Sequence, residues 1–265
     1  MDKLFIIKIG GNIIDDETKL SSFINDFSQI GDKKILIHGG GKLASKLARQ
    51  LGIEQKMVDG RRITDTETLK IVTMVYAGLI NKNIVAALQA NNCNALGLTG
   101  ADGNAIKAHK RTSLSSAENI DFGFAGDVDE VNTDLIKNLL YSNVIPVFAP
   151  ITHNQKGQLL NTNADTIAQE IAKGLSRLFD VRLIYIFEKN GVLLDINDEL
   201  SVIDKITPLS YQQLKKENKI FAGMIPKIDN AFTALQYGVR KVIIGNAQNL
   251  SDIVLEKSGT ILINE

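Results

Sequence analysis

Cysteine is nearly missing from this chain. A single one, Cys93, among 265 residues excludes an intrachain disulfide framework and fits a reducing compartment. Net charge is missing too. Lys+Arg and Asp+Glu each total 30, so no global field draws the chain to nucleic acid or to an anionic membrane, and anion recognition has to be local. The N-terminus has no signal-peptide layout, because Lys8 interrupts the first apolar stretch almost at once. Uninterrupted apolar runs stop well short of the roughly 20 residues that a membrane-crossing helix needs. No internal repeat, low-complexity tract or Pro/Ser linker is present. These absences leave a soluble cytoplasmic protein, long enough for one large α/β unit or two modest lobes.

What is present is alternation. Short apolar runs at 4–9, 34–38, 95–99, 144–149, 182–187, 241–244 and 260–263 read as strands. Amphipathic stretches at 16–30, 42–51, 65–91, 133–142, 164–179, 208–217, 226–237 and 249–257 read as helices. Strands separated by helices predict βαβ crossovers, hence an α/β fold with a mainly parallel central sheet sandwiched between helices. Segments 103–110 and 123–131 read as an antiparallel hairpin, and 155–160, around Lys156-Gly157, as a second one. Two lobes are expected, 1–172 and 173–265, joined near the helix after Ala164. The helix at 65–91 is long. Leu69, Val72, Tyr76, Leu79, Ile80, Ile84, Ala87 and Leu88 give it an apolar face that serves equally a core or a dimer interface.

Several constellations carry chemistry. Lys8 ends a strand that is apolar on both faces and feeds into Gly10-Gly11. A lysine there is costly to desolvate unless something negative meets it, and ligands of open α/β sheets collect beyond the carboxyl ends of the strands. A head group that snorkels to the surface is the plainer reading. Gly39-Gly40-Gly41 stands between a strand and a helix, which is either a tight turn or a set of free N–H groups aimed at an anion. It is not a Walker A loop, since Leu36 and Leu43 occupy positions where that motif needs Gly and Ser/Thr. Pro226 suits the first turn of a helix and puts Lys227 where a cation opposes the helix dipole. Asn163 reads as an N-cap with Asp165 in the first turn, which leaves Asn161 unexplained. Arg61-Arg62 precede the long helix, capped by Thr64 or Asp65, and an arginine fork matches a carboxylate bidentately.

Taken in order, Lys8-Ile-Gly-Gly11, His38-Gly-Gly-Gly41, Gly60-Arg-Arg-Ile-Thr64, Leu160-Asn-Thr-Asn-Ala-Asp165 and Gly223-Met-Ile-Pro-Lys227 resemble the amino acid kinase family nearly end to end, in the branch that acts on N-acylated glutamate. The resemblance implies an amino acid kinase-like fold and an enzyme that uses ATP and Mg²⁺ to phosphorylate the side-chain carboxylate of N-acetyl-L-glutamate in arginine biosynthesis. Residues 1–172 would then bind the acyl-glutamate and dimerise, and 173–265 would bind the nucleotide. Carried over position by position, Lys8 and Lys227 would stabilise the transferring phosphoryl, and Asp165 would orient both. Gly11, Gly40 and Gly41 would offer backbone N–H groups. Arg62 and Asn161 would grip the α-carboxylate, with Asn163 nearby. Gly11, Glu188, Lys189, Asn190, Gly191, Phe221, Gly223 and Met224 would surround the nucleotide. The resemblance implies no protein-held metal, a homodimer insensitive to arginine, and neither nucleic acid nor membrane as partner. One segment departs from the family pattern: Phe187-Glu188 stands where the family usually shows a hydroxyl residue followed by Asp. N-succinyl-L-glutamate, another acidic amino-acid derivative, and a non-catalytic sensor remain as alternatives.

Overall fold

The computed structural model describes residues 1–58, 61–112, 120–220 and 224–264. The chain runs through β1 (Lys3–Ile9), α1 (Gly11–Ile14), α2 (Glu17–Ser28), β2 (Lys33–His38), α3 (Gly41–Gln50), β3 (Met57–Val58), β4 (Arg61–Arg62) and α4 (Thr66–Val72). A π-helical segment (Thr73–Ile80) leads into α5 (Asn81–Ala90), followed by β5 (Ala95–Leu98), β6 (Ile106–Lys110), β7 (Ala125–Val131), α6 (Thr133–Tyr141), β8 (Ile145–Phe148), β9 (Ile151–His153) and β10 (Leu159–Thr162). Then come α7 (Ala164–Leu175), β11 (Asp180–Phe187), β12 (Lys205–Ile206), α8 (Pro208–Lys216), α9 (Ile225–Gln236), β13 (Lys241–Asn246), α10 (Leu250–Val254) and β14 (Thr260–Leu262).

Two compact units emerge: a terminal unit of Met1–Ile35 with Ala168–Glu265, and a central unit of Leu36–Ile167. This differs from the expected division at 172/173, which kept the first 35 residues with the central segment. The reason is strand pairing. β1 lies parallel to β11 along its whole length, with Lys8 opposite Tyr185. The mainly parallel sheet has eight strands. The terminal unit contributes the order β12-β14-β13-β11-β1, with β13 and β14 antiparallel. The central unit holds the order β2-β8-β5. Leu4, Phe5, Ile6, Ile7 and Ile9 are all fully buried, as a strand covered on both faces requires.

The two expected hairpins form, β6 against β7 and β9 against β10. Parallel pairs β7–β10 and β6–β9 close them into a four-stranded barrel that the sequence did not announce. The expected long helix is continuous from Thr66 to Ala90 but is π-helical in its middle. Val72, Tyr76, Ile80, Ile84 and Leu88 are buried, whereas Leu79, assigned to the same face by periodicity, is 51% exposed beside an exposed Met74. The i→i+5 turns of the π segment shift the helical phase there. By length and composition this helix could cross a membrane, unlike the expectation from uninterrupted runs. Buried Asn81 interrupts its apolar sequence and donates hydrogen bonds inside the central unit, to Val147 O (3.0 Å) among others.

Lys34 shows how the terminal unit spends a buried cation. Its Nζ donates to Phe27 O, Ser28 O and Ile30 O at 2.7–3.0 Å, closing the carboxyl end of α2, and it lies 5.0 Å from the Phe27 ring centroid. Carbonyls at a helix C-terminus lack intrahelical donors and favour positive charge. Lys34→Met should therefore cost about 2–3 kcal/mol, the range for charge-assisted hydrogen bonds left unmade. A urea titration followed by circular dichroism should register this as an earlier midpoint.

Candidate active site

A cavity of about 170 Å³ opens in the central unit, lined by Gly39, Gly40, Gly41, Arg62, Tyr76, Asn161, Asn163 and neighbours. Gly40 is the N-cap of α3 with φ 150°, and no side chain caps that helix. A Cβ at Gly40 would crowd Ile80 and come within 3.0 Å of Tyr76 Cδ1. Only glycine satisfies both the backbone and the space. The first turn of α3 therefore presents backbone N–H groups to the cavity.

Arg62, on the two-residue strand β4, is 8% exposed. Its Nη1 donates to Gln55 Oε1, and its Nη2 donates to Gly41 O at 3.0 Å and Ser45 Oγ at 2.9 Å. All three acceptors are neutral. Among the described residues the guanidinium is thus held rigidly by neutral groups, beside an uncapped helix N-terminus. Burial pushes the Tyr76 phenol above its ordinary pKa, so it stays protonated; Arg62 opposes that shift without reversing it. Arg61 lines the same cavity and lies 4.0 Å from Asp127. Its pKa is lowered by burial and then by the charge of Arg111, with Asp127 acting the other way.

Thr64 ties this side to β10. It is fully buried, donates to Arg62 O at 3.0 Å and accepts from Asn161 Nδ2 at 3.0 Å. Asp65, not Thr64, caps α4, accepting from Thr68 N at 2.7 Å, a bond that lowers its pKa. Asn163 caps α7 through its Oδ1, which accepts from Asp165 N and Thr166 N at 2.8 and 3.1 Å. Asp165 stands in the first turn of α7. Arg62, Asn161, Asn163, Gly40 and Gly41 thus line one cavity.

His38 locks the glycine turn. It is fully buried, with Nδ1 2.8 Å from Gly39 O and Nε2 3.1 Å from Asn81 Nδ2. A neutral ring that donates from Nδ1 and accepts at Nε2 satisfies both contacts. Burial drives its pKa down from 6.5 to about 4. Below pH 6.5 the unfolded chain binds a proton that the folded one refuses, so stability is complete above that pH and is lost as pH falls toward 4. Acid unfolding should therefore take away about 3 kcal/mol across this window. A His38→Asn variant, measured by denaturant titration at several pH values, should lose that slope.

In the terminal unit, Lys8 and Lys227 converge on one side chain. Lys8 is 8% exposed and its Nζ lies 5.5 Å from the centroid of the Phe187 ring; Lys227 Nζ lies 3.6 Å from the same centroid. Together these distances cap the separation of the two ammonium groups at about 9 Å. β1 carries Lys8, while Lys227 sits in the first turn of α9 behind Pro226, as the sequence predicted. Gly11 opens α1, a short helix that no side chain caps.

The residues expected around the nucleotide are spread out. Glu188 lines a second cavity of about 350 Å³ with Asn12, Phe187 and Gln248, and its carbonyl accepts from Asn246 Nδ2 at 2.7 Å. Lys189 pairs with Glu199 at 2.8 Å, and Asn190 accepts from Asn249 at 3.4 Å. Gly191 is a packing glycine, since a Cβ there would come 2.6 Å from Thr260 Oγ1. Met224 is the N-cap of α9. Phe221, Gly223 and Gly60 lie outside the described residues. The sequence reading gave no site role to Tyr76, Ser45, Gln55 or Asn81. None of them belongs to a motif, and each reaches its place through the π segment, α3 or a loop.

Comparison with known proteins agrees with this geometry. The sequence matches the amino acid kinase family over residues 3–246. An acetylglutamate kinase of Bacteroides thetaiotaomicron is 54% identical over 95% of this chain and 96% of its own. One of Cytophaga hutchinsonii is 53% identical over 99% of both. Among solved structures, the smu.665 protein of Streptococcus mutans UA159 superposes with a TM-score of 0.78 at 28% identity, covering 99% of each chain. The chain belongs to the amino acid kinase family, in its acetylglutamate kinase branch.

Proposed function

We propose that this chain transfers the γ-phosphoryl group of ATP to the side-chain carboxylate of N-acetyl-L-glutamate, giving N-acetyl-L-glutamyl 5-phosphate for arginine biosynthesis. The observation that carries the reading is Arg62: a buried guanidinium whose side-chain hydrogen bonds among the described residues go to neutral acceptors, beside an uncapped helix N-terminus in one small cavity. Such a site is built for an anion. The names of the relatives supply which one.

The chemistry needs no general base, because a carboxylate is already a nucleophile at neutral pH. The obstacle is bringing one anion against another, which positioning and fixed positive charge overcome. In this reading Arg62 and Asn161 hold the α-carboxylate and Asn163 flanks it. The Gly40 and Gly41 amides steady the reacting end. Lys8 and Lys227 neutralise the migrating phosphoryl, Asp165 orients the lysines, and Gly11 meets the phosphates. ATP is held by the terminal unit. Mg²⁺ enters as part of the Mg·ATP substrate. The enzyme acts in the cytoplasm as a homodimer, for which the exposed Met74 and Leu79 on the long helix offer an apolar patch.

The test is ADP release with Mg·ATP and, in parallel, N-acetyl-, N-succinyl- and free L-glutamate. N-acetyl-L-glutamate should be the best acceptor, and free glutamate should be poor. The succinyl arm is included because Arg61, a second cation at the cavity, could receive one more carboxylate. ATP binding without turnover of any acceptor would replace the kinase reading by a sensor.

A further inference from the structure

Phe187 holds its ring close to two lysines. On β11, Tyr185 and Phe187 are two residues apart and so share a face of the sheet. Their rings stack with centroids 6.2 Å apart and planes inclined by 20°. Lys8 lies opposite Tyr185 in the parallel register and reaches across to the Phe187 ring. Lys227 approaches the same ring from the first turn of α9. Two elements distant in sequence therefore aim their ammonium groups at the one ring that ends β11.

Two like charges held this near each other repel, so something must gather them. In the kinase reading the Asp165 carboxylate contributes to this by charge. The face of a benzene ring attracts ammonium groups through its quadrupole while contributing no net charge. It fixes their direction and leaves their positive charge available. Packing against Tyr185 in turn fixes the ring.

We propose that Phe187 is a positioning residue of the phosphoryl-transfer site: its ring sets the placement of Lys8 and Lys227. This rests on the kinase reading for its kinetic consequences, but not for the contact itself.

Three variants separate this role from mere filling of space. Phe187→Leu keeps an apolar side chain and removes the quadrupole. It should lower kcat about tenfold, in line with losing one desolvated and one weaker cation–π contact, while KM for N-acetyl-L-glutamate stays put. Phe187→Tyr, which keeps the ring, should restore most of the turnover. Phe187→Ser should behave like the leucine variant. The contact itself is read by NMR of protein whose lysines carry ¹³C-methyl groups, with assignments made through Lys8→Arg and Lys227→Arg. The Lys227 signal should be shifted upfield by the ring current and should move downfield in Phe187→Leu. That spectrum is informative even if no acceptor is turned over, so failure of the kinase reading and failure of this proposal are separate results. Equal kinetics for wild type and Phe187→Leu, equal damage by leucine and tyrosine, or a Lys227 signal indifferent to the ring would each overturn it.

Discussion

Lys8→Met and Lys227→Met should each lower kcat by about 10²–10³-fold, the loss typical of removing one preorganised group that stabilises transition-state charge. Methionine keeps the length and apolar stem of lysine, so the strand end at Lys8 and the first turn of α9 retain their packing. In the proposed mechanism what disappears is positive charge where the phosphoryl carries its charge between ADP and the acceptor. KM for N-acetyl-L-glutamate should change little, because the cavity proposed for it is lined by Arg62, Asn161 and the glycine turn. If the two lysines serve one charge, as proposed, the double variant should lose less than the product of the single losses. Steady-state kinetics on variants with wild-type circular dichroism settles this. A folded Lys8→Met enzyme with near-normal kcat would remove Lys8 from the chemistry.

Arg62→Met should act on the other constant, raising KM for N-acetyl-L-glutamate about a hundredfold with a much smaller effect on kcat, as expected when a charge-assisted pair worth up to about 3 kcal/mol is lost. Arg62→Lys should not restore it. Lysine cannot reproduce a fork that donates to Gln55, Gly41 O and Ser45 while still facing a carboxylate. Some loss of thermal stability should accompany either change, because those three contacts also tether α3 and the loop before β3 to β4. A variant with unchanged KM and a pure turnover defect would show that Arg62 does not hold the α-carboxylate.

The sequence disclosed the parts of this site that depend on local chemistry. The run 4–7 before Lys8 is apolar at every position, and all four residues are fully buried. Gly40 and Asn163 announced helix starts and stand at them. Long-range pairing was hidden. Nothing in residues 4–9 says that they lie beside 180–187, so the first 35 residues were assigned to the wrong side of a contiguous division. The π segment was hidden as well. A helix that keeps its apolar pattern gives no sign that its turns widen, yet those turns expose Leu79 and seat Tyr76 over the glycine turn. β3 and β4, at two residues each, are too short to carry a period, so nothing in the sequence marked Arg62 as a strand residue. Phe187 was visible as a departure from the family pattern, but its meaning required seeing two distant lysines above one ring.

The central claim is that a carboxylate oxygen of N-acetyl-L-glutamate attacks the γ-phosphorus of ATP. Hydroxylamine intercepts acyl phosphates, so the most direct measurement is hydroxamate formation with Mg·ATP and N-acetyl-L-glutamate, followed beside ADP release. The account predicts one hydroxamate per ADP, and none when the acceptor is omitted. ADP released with inorganic phosphate and no hydroxamate, at a rate indifferent to N-acetyl-L-glutamate, would contradict it.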